Sequence, residues 1–284
     1  MLKSDLRDLL IQLAIMGELS AKEMNVIANT TDEGERHYLL QVMDSRIVGG
    51  KCDPAYEKVL KDYQSANIQF STIIDEDYPP SLKEIHSPPV VLFYKGDWKL
   101  TKRRRLAIVG SRRASAYGEQ VLAVLLPALV SKNVTIVSGL AAGIDQYAHQ
   151  QTIRLKGDTI AVIGTGLDVY YPSQNQHLQQ HMLDKQLVIS EYPLGKKPHR
   201  SHFPMRNRII AGLCQGTLVV EAKERSGSLI TANLALQENR EVFAVPGSIL
   251  TTASSGTNHL IRAGAKLVMT ADDILEEMTH LWQL

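Results

Sequence analysis

The stretch Leu106-Ala-Ile-Val-Gly-Ser111 decides the fold. Four apolar residues run without alternation and stop at a glycine and a serine, and from Tyr117 to Leu129 the pattern becomes helical. A short unbroken apolar run, closed by a small-residue turn and followed by a helix, reads as a strand buried on both faces. The unit recurs along the chain. Val134-Thr-Ile-Val-Ser138 ends in Gly139 before a helix from Asp145 to Leu155, and Thr159-Ile-Ala-Val-Ile163 ends in Gly164-Thr-Gly166. Leu187-Val-Ile-Ser190 precedes a basic loop and a helix from Asn207, and Thr217-Leu-Val-Val220 ends in Glu221 before a helix from Leu229 to Gln237. Glu241-Val-Phe-Ala-Val245 ends in Pro246-Gly247, and a last strand, Lys266-Leu-Val-Met269, precedes a C-terminal helix. Strands and helices in alternation predict an α/β fold, a parallel sheet with helices on both faces. Ligands of such sheets bind beyond the carboxyl ends of the strands, where these Gly-rich turns gather.

Upstream the pattern differs. Leu6, Leu9, Leu10, Leu13 and Ile15 form a helical stripe, and Ser20-Ala-Lys-Glu23 is a capping box that opens a second helix. The stretches Glu33 to Met43 and Pro54 to Ala66 continue the helical reading. Residues 1–65 are therefore expected to form a small all-helical domain and residues 66–284 the sheet domain. A connector rich in turn signals, Asp75-Glu-Asp-Tyr-Pro-Pro80 and Ser87-Pro-Pro89, leads into a short strand, Pro89-Val-Val-Leu-Phe-Tyr94.

Composition narrows the function classes. The 284 residues are 44% hydrophobic and 21% charged, as in ordinary globular proteins. No apolar run approaches the roughly 20 residues needed to cross a bilayer. The charged start, Met1-Leu-Lys-Ser-Asp-Leu-Arg-Asp8, lacks a signal-peptide core, so the cytoplasm is the expected location and no membrane partner is expected. Two distant cysteines, Cys52 and Cys214, suggest neither a disulfide framework nor a zinc site. His177 and His181 are four apart but have no H-E-x-x-H context, so no metal is expected. The P-loop pattern and the G-x-G-x-x-G fingerprint after the first sheet strand are both missing, which argues against ATP hydrolysis and a dinucleotide; no cofactor is expected. No nucleophile elbow marks a catalytic triad.

The net charge of +1 hides an asymmetry. Residues 1–65 hold 8 Lys/Arg and 11 Asp/Glu, the remainder 23 and 19. Lys196 to Arg208 carries five cations and no acid, and Lys99 to Arg113 carries seven and no acid. A single basic run is usually a solvated face. Two acid-free runs, each beside a Gly-rich turn, point instead to an anion site.

Each turn offers candidate ligands. In Gly110-Ser-Arg-Arg113 the glycine lets backbone N–H groups approach an anion, and Arg112 and Arg113 supply phosphate partners. Gly139 opens the small-residue turn Ser138-Gly-Leu-Ala-Ala-Gly-Ile-Asp145, whose Asp145 is expected to cap the next helix. Around the basic loop, Lys197 and Arg200 lead to Phe203, a face for base stacking, and to Arg206, Asn207 and Arg208 at the expected helix start. Ser226, Gly227 and Ser228 open a helix with hydroxyls and free N–H groups. Arg240 just precedes a strand and is either a rim residue or solvated. Glu191 and Glu221 are the plausible pocket carboxylates, and Glu221 is expected to be buried against an arginine.

In order along the chain, Tyr78-Pro-Pro-Ser-Leu82, Val109-Gly-Ser-Arg112, Ser138-Gly-Leu-Ala-Ala-Gly-Ile-Asp145, Phe203-Pro-Met-Arg-Asn-Arg-Ile-Ile-Ala-Gly212, Ser226-Gly-Ser-Leu-Ile-Thr-Ala232 and Gly256-Thr-Asn-His-Leu-Ile261 resemble the DprA/Smf family of bacterial DNA-processing proteins. The likeness runs from about residue 66 to 270. It implies an extended Rossmann-type domain that binds single-stranded DNA, a homodimer, and loading of the RecA recombinase during natural transformation, without catalysis. The helical N-terminus resembles the SAM-like module of some members. DNA contacts carried over from the resemblance fall on Arg112 or Arg113, Arg200, Phe203 and Arg240, with Arg206 and Arg208 forming the pocket, and dimer contacts on Asn258, Ile261 and Leu267. Ser173 stands where some members have a lysine, and Arg200 and Arg240 stand where a lysine can occur. The rival reading is a nucleotide-processing Rossmann-like hydrolase. Its Pro-Gly-Gly-x-Gly-Thr turn with a following Glu is not matched by Ser226-Gly-Ser-Leu-Ile-Thr231.

Overall fold

Unalternated strands require cover on both faces, and the fold supplies it. The computed structural model describes residues 3–16, 19, 21–30 and 54–282. Strands β3 (Arg105–Val109), β4 (Thr135–Ser138), β5 (Thr159–Ile163), β6 (Leu187–Ser190) and β7 (Gly216–Val219) are buried at every position. Along β3, Leu106 and Ile108 face one helical layer while Ala107 and Val109 face the other. The first layer contains α5 (Ala116–Ser131) and α6 (Ile144–Arg154), and the second contains α8 (His202–Leu213) and α9 (Gly227–Gln237). In α5, Leu122, Leu125, Leu126 and Leu129 are all at most 2% exposed, each contributing about 1.5–3 kcal/mol by burial. This helix stops where Asn133 takes a left-handed conformation (φ 56°) and Val134 N–H closes onto Leu129 O at 3.1 Å.

The sheet has nine strands in the order β1-β2-β6-β5-β4-β3-β7-β8-β9. Here β1 is Gln69–Thr72, β2 Val91–Gly96, β8 Glu241–Ala244 and β9 Lys266–Leu267. The pairs from β6 to β9 are parallel, but β1 and β2 join antiparallel, so the expected parallel sheet carries an antiparallel margin. Strand order runs outward from β3 to β6 and then restarts on the other side of β3 with β7. That reversal between β3 and β7 opens a crevice at the carboxyl ends of the two strands. The remaining helices are α4 (Pro80–Lys83), α7 (Gln176–Lys185), α10 (Ser255–Arg262) and α11 (Asp272–Leu281).

The N-terminal helices α1 (Lys3–Met16), α2 (Ala21–Asn29) and α3 (Pro54–Ser65) pack on the antiparallel margin. Leu10, Leu13, Ile27 and Tyr63 share one apolar cluster with Phe93, Ile163 and Val188 of the sheet. Arg7 reaches across to Asp75 at 2.9 Å and to Phe70 O at 3.1 Å, and Asn25 donates to Pro88 O at 2.8 Å. The helix read at 33–43 and the Ser20 cap lie outside the described residues.

Candidate nucleic-acid interface

The turns after β3, β4, β5 and β7 and the loop after β6 converge at the crevice. They enclose a cleft of about 730 Å³, lined by Gly110, Ser111, Arg112, Arg200, Phe203, Arg206, Asn207, Ser226, Gly227 and Ser228, all anticipated from sequence. Lys223 and Arg225 also line it, as do Asp145 and Glu224, giving five cationic side chains against two carboxylates. Lys223 and Arg225 escaped the sequence reading, although they sit in the loop directly before Ser226. A smaller recess of about 80 Å³ adjoins the cleft beneath Arg112 and Phe203 and includes Gly139 and Tyr171.

Helix α8 begins at His202, one turn earlier than the expected start near Asn207, because Pro204 is tolerated in a first turn where its missing N–H has no helical partner. Arg206 and Arg208 therefore lie inside the helix, only 5% and 6% exposed. Arg206 Nη1 donates to Gly139 O and to Val162 O (2.6 Å), and Nε donates to Asn207 Oδ1 at 3.0 Å. It thereby caps carbonyls at the ends of β4 and β5. A Cβ at Gly139 would collide with this guanidinium, so glycine is required there. Burial pulls the Arg206 pKa down to about 10, with Asp145 opposing the shift, and the group stays charged at neutral pH. Asp145 is pushed up by burial, against the pull of Arg206 and of the Ala141 and Gly139 amides. It lies in the first turn of α6 behind Gly143, not at the cap position, and accepts Gly139 N–H at 3.1 Å. Its role is to close the turn before the helix.

Arg208 points away from the cleft and pairs with Glu191 at 2.5 Å. Among the described residues its Nε and Nη1 have no hydrogen-bond partner. Among the described residues Glu221 pairs with no arginine, contrary to the expectation. It accepts Ser115 N–H at 2.9 Å and the Ser115 hydroxyl at 2.5 Å. Ser115 caps α5, so the positive end of that helix takes the place of the arginine.

The exposed groups at the mouth are different ones. Arg112 lies over the Phe203 ring at 5.5 Å, and Tyr171, 43% exposed, packs on the same ring at 5.5 Å and 33°. Tyr171, which carries no charge to mark it in the sequence, enlarges the aromatic surface that Phe203 offers. The turn at Gly110 is tight because Ile144 packs on it: a Cβ there would lie 2.6 Å from the Ile144 side chain. Ser111 Oγ accepts Arg113 N–H at 3.1 Å, bracing the turn that carries the two arginines. At the opposite wall the Ser226 and Ser228 hydroxyls pair at 2.8 Å at the start of α9, and Asn207 Nδ2 donates to Gly227 O at 3.4 Å.

Other anticipated residues fall elsewhere. Arg113 and Lys197 are exposed but do not line the cleft. Arg240 sits at the amino end of β8, the opposite rim of the sheet from the cleft, and bonds Ser81 O at 3.1 Å and Glu84 at 3.3 Å. The parallel direction of β8 forces this: a residue that precedes the strand cannot reach its carboxyl end. Asn258 uses its amide internally, accepting Gly247 N–H at 3.1 Å and donating to Gly247 O at 3.0 Å. Ile261 packs partly into the core, whereas Leu267 is 38% exposed on the edge strand, beside Met269 at 70%. His177 and His181 are exposed, and no metal-holding group of His, Cys, Asp or Glu occurs among the described residues. None of the described helices is long and apolar enough to cross a membrane.

Comparison with known proteins places this geometry. The family described as DNA recombination-mediator protein A matches residues 69–279. DNA processing protein DprA of Streptococcus pneumoniae is 52% identical over 206 residues, covering 72% of this chain and 73% of that protein. DprA of Bacillus subtilis is 47% identical over 226 residues, 79% and 76% of the two chains. The crystal structure of the S. pneumoniae protein superposes with a TM-score of 0.75 at 43% identity over 92% of this chain and 87% of that one. DNA processing protein A of Helicobacter pylori, whose structure addresses its single-stranded DNA binding mode, matches with a TM-score of 0.68 at 28% identity over 76% and 99%. With its family match, its close relatives and its superposable sheet, the chain belongs to the DNA recombination-mediator protein A family.

Proposed function

We propose that this chain binds single-stranded DNA in the cleft at the β3/β7 reversal and acts as a recombination mediator. The observation that carries the reading is the exposed Tyr171 ring packed on the half-buried Phe203 ring with the Arg112 guanidinium over it, set in a cationic cleft. Bases stack on aromatic rings whatever their identity, and phosphates take arginine, lysine and free helix-start amides. The phosphate path runs along Arg112, Arg200, Lys223 and Arg225 to the start of α9. Arg206 holds the floor from below. The single-stranded DNA binding of the H. pylori protein supports the assignment.

The finer reading is that a homodimer protects incoming strands in the cytoplasm and loads RecA onto them in natural transformation. The recombination-mediator description of the family supports RecA as partner, and the exposed edge at Leu267 and Met269 supports the dimer. The DNA-binding function is assigned to residues 66–284, a proposal that the family match from residue 69 supports, with the described helices before residue 66 as a separate helical part. Binding rather than hydrolysis is favoured because Asp145 and Glu191 are both committed to internal partners. Release of free base from nucleoside monophosphates by the pure protein would reverse that choice.

The test is fluorescence anisotropy with an oligothymidylate across a salt series. Phe203→Ala weakens binding by roughly 1–3 kcal/mol, about 5- to 150-fold, and leaves the salt slope unchanged. Arg112→Ala reduces the log–log salt slope by about 0.7. Tighter binding to duplex than to single strands, or a flat salt response, defeats the reading.

A further inference from the structure

The basic run Lys99 to Arg113 is split by the fold. Arg112 reaches the cleft, but Lys99 to Arg104 lie at the other end of β3, where the parallel strands begin. The entry turns of the neighbouring strands each add a cation there. Arg104 directly precedes β3, Lys132 follows α5 before β4, Lys156 follows α6 before β5, and Lys185 ends α7 before β6. The turns are joined by hydrogen bonds: Thr135 N–H to Arg104 O at 2.8 Å, Ile136 N–H to Asp158 O at 3.0 Å, and Thr159 N–H to Gln186 Oε1 at 2.8 Å. Since β3, β4, β5 and β6 are consecutive in the sheet, the four cations form a row in that order. At about 4.8 Å per strand step the row spans about 14 Å.

All four side chains are exposed, and among the described residues none of them has an ion-pair partner. The acids beside the row face groups other than these four cations. Asp158 pairs with Arg103, Asp97 accepts Lys99 N–H at 3.0 Å, and Asp184 accepts from Gln180 at 3.3 Å. The row therefore presents four cations without ion-pair partners among the described residues, on the rim of the sheet opposite the cleft.

The geometry points to a second single-stranded DNA contact along Arg104, Lys132, Lys156 and Lys185. A narrow row fits a phosphodiester chain, and at 3.4 Å per stacked nucleotide its length matches about four nucleotides. The inference rests on the reading of the cleft as the primary DNA site, since a strand longer than the cleft has to pass beyond it.

The experiment is lysine footprinting of the full chain by acetylation and mass spectrometry, with a 6-nucleotide and a 40-nucleotide single strand at low salt. The long strand slows acetylation of Lys132, Lys156 and Lys185 at least threefold, and the short one, which fills only the cleft, leaves them unchanged. The triple variant Lys132→Glu, Lys156→Glu, Lys185→Glu loses at least tenfold in affinity for the long strand and stays within twofold for the short one. If charge reversal disturbs folding, the Lys→Gln triple carries the test with a loss of at least threefold. Unprotected lysines together with an unchanged long-strand affinity overturn the inference, as does protection by phosphatidylglycerol vesicles but not by DNA. Failure of the cleft reading shows separately, as an Arg112→Ala/Phe203→Ala variant that binds the short strand like the native chain.

Discussion

Replacing Arg206 by alanine should unfold the protein before it disturbs DNA binding directly. The guanidinium is 5% exposed, holds Gly139 O and Val162 O, and lies beside the buried Asp145 carboxylate. Truncation removes the charge that Asp145 faces and the guanidinium that donates to both Gly139 O and Val162 O. Breaking a buried pair by removing one partner costs about 3–5 kcal/mol. At about 2–4 °C per kcal/mol for a chain of this size class, the melting temperature falls by about 6–20 °C. Urea unfolding at pH 7, followed by circular dichroism, reads the loss directly, and a parallel salt series on the folded variant reads DNA contacts. A variant within about 1 kcal/mol of the native stability whose salt slope drops by about 0.7 would refute the reasoning, because Arg206 would then be a phosphate ligand and not a cap.

Acid should weaken the fold through His149, which burial and the nearby Arg206 charge push down to about 3. A depressed histidine is neutral when folded and protonates when unfolded, so its contribution is full above about pH 6.5 and is lost as pH falls toward 3. Between pH 6.5 and 5 that amounts to about 2 kcal/mol, and His149→Gln should show a correspondingly smaller drop between urea curves at pH 7 and pH 5. Light scattering at micromolar concentration should find a dimer, and Leu267→Arg with Met269→Arg should give monomers; a native monomer, or a dimeric variant, rejects the edge-strand interface.

Most of the sheet was legible because buried parallel strands are short unbroken apolar runs, and β3, β4, β5 and β8 run into glycine turns. Strand β1 was not, since Gln69-Phe-Ser-Thr72 is a four-residue edge strand with two polar residues in its buried half, and its identity comes from pairing with β2. Among the sequence candidates, Arg112, Arg200, Phe203 and Ser226 come together in the lining of the cleft. What sequence could not supply was depth. Arg206 and Arg208 look alike in the chain, but helical periodicity turns the first under the strand ends and the second toward Glu191. Arg240 looked like a rim residue and is one, on the rim where strands start. The Glu221 partner was missed because a helix start is an electrostatic object with no charged residue to mark it.

The N-terminal helices also hold the loop after β6: Leu194 N–H donates to the Tyr63 hydroxyl at 2.9 Å. Tyr63 belongs to α3 and is wedged against Phe93 with ring centroids 5.6 Å apart. Leu194 opens the loop that carries Lys196, Lys197 and Arg200. The N-terminal helices are thus an anchor for the basic loop at the mouth of the cleft. A chain cut after residue 65 would keep every cleft residue, yet the loop would lose a fixed point at its root and the sheet margin would lie bare. The penalty would appear as a floppier grip on the strand and as self-association, with no DNA contact removed.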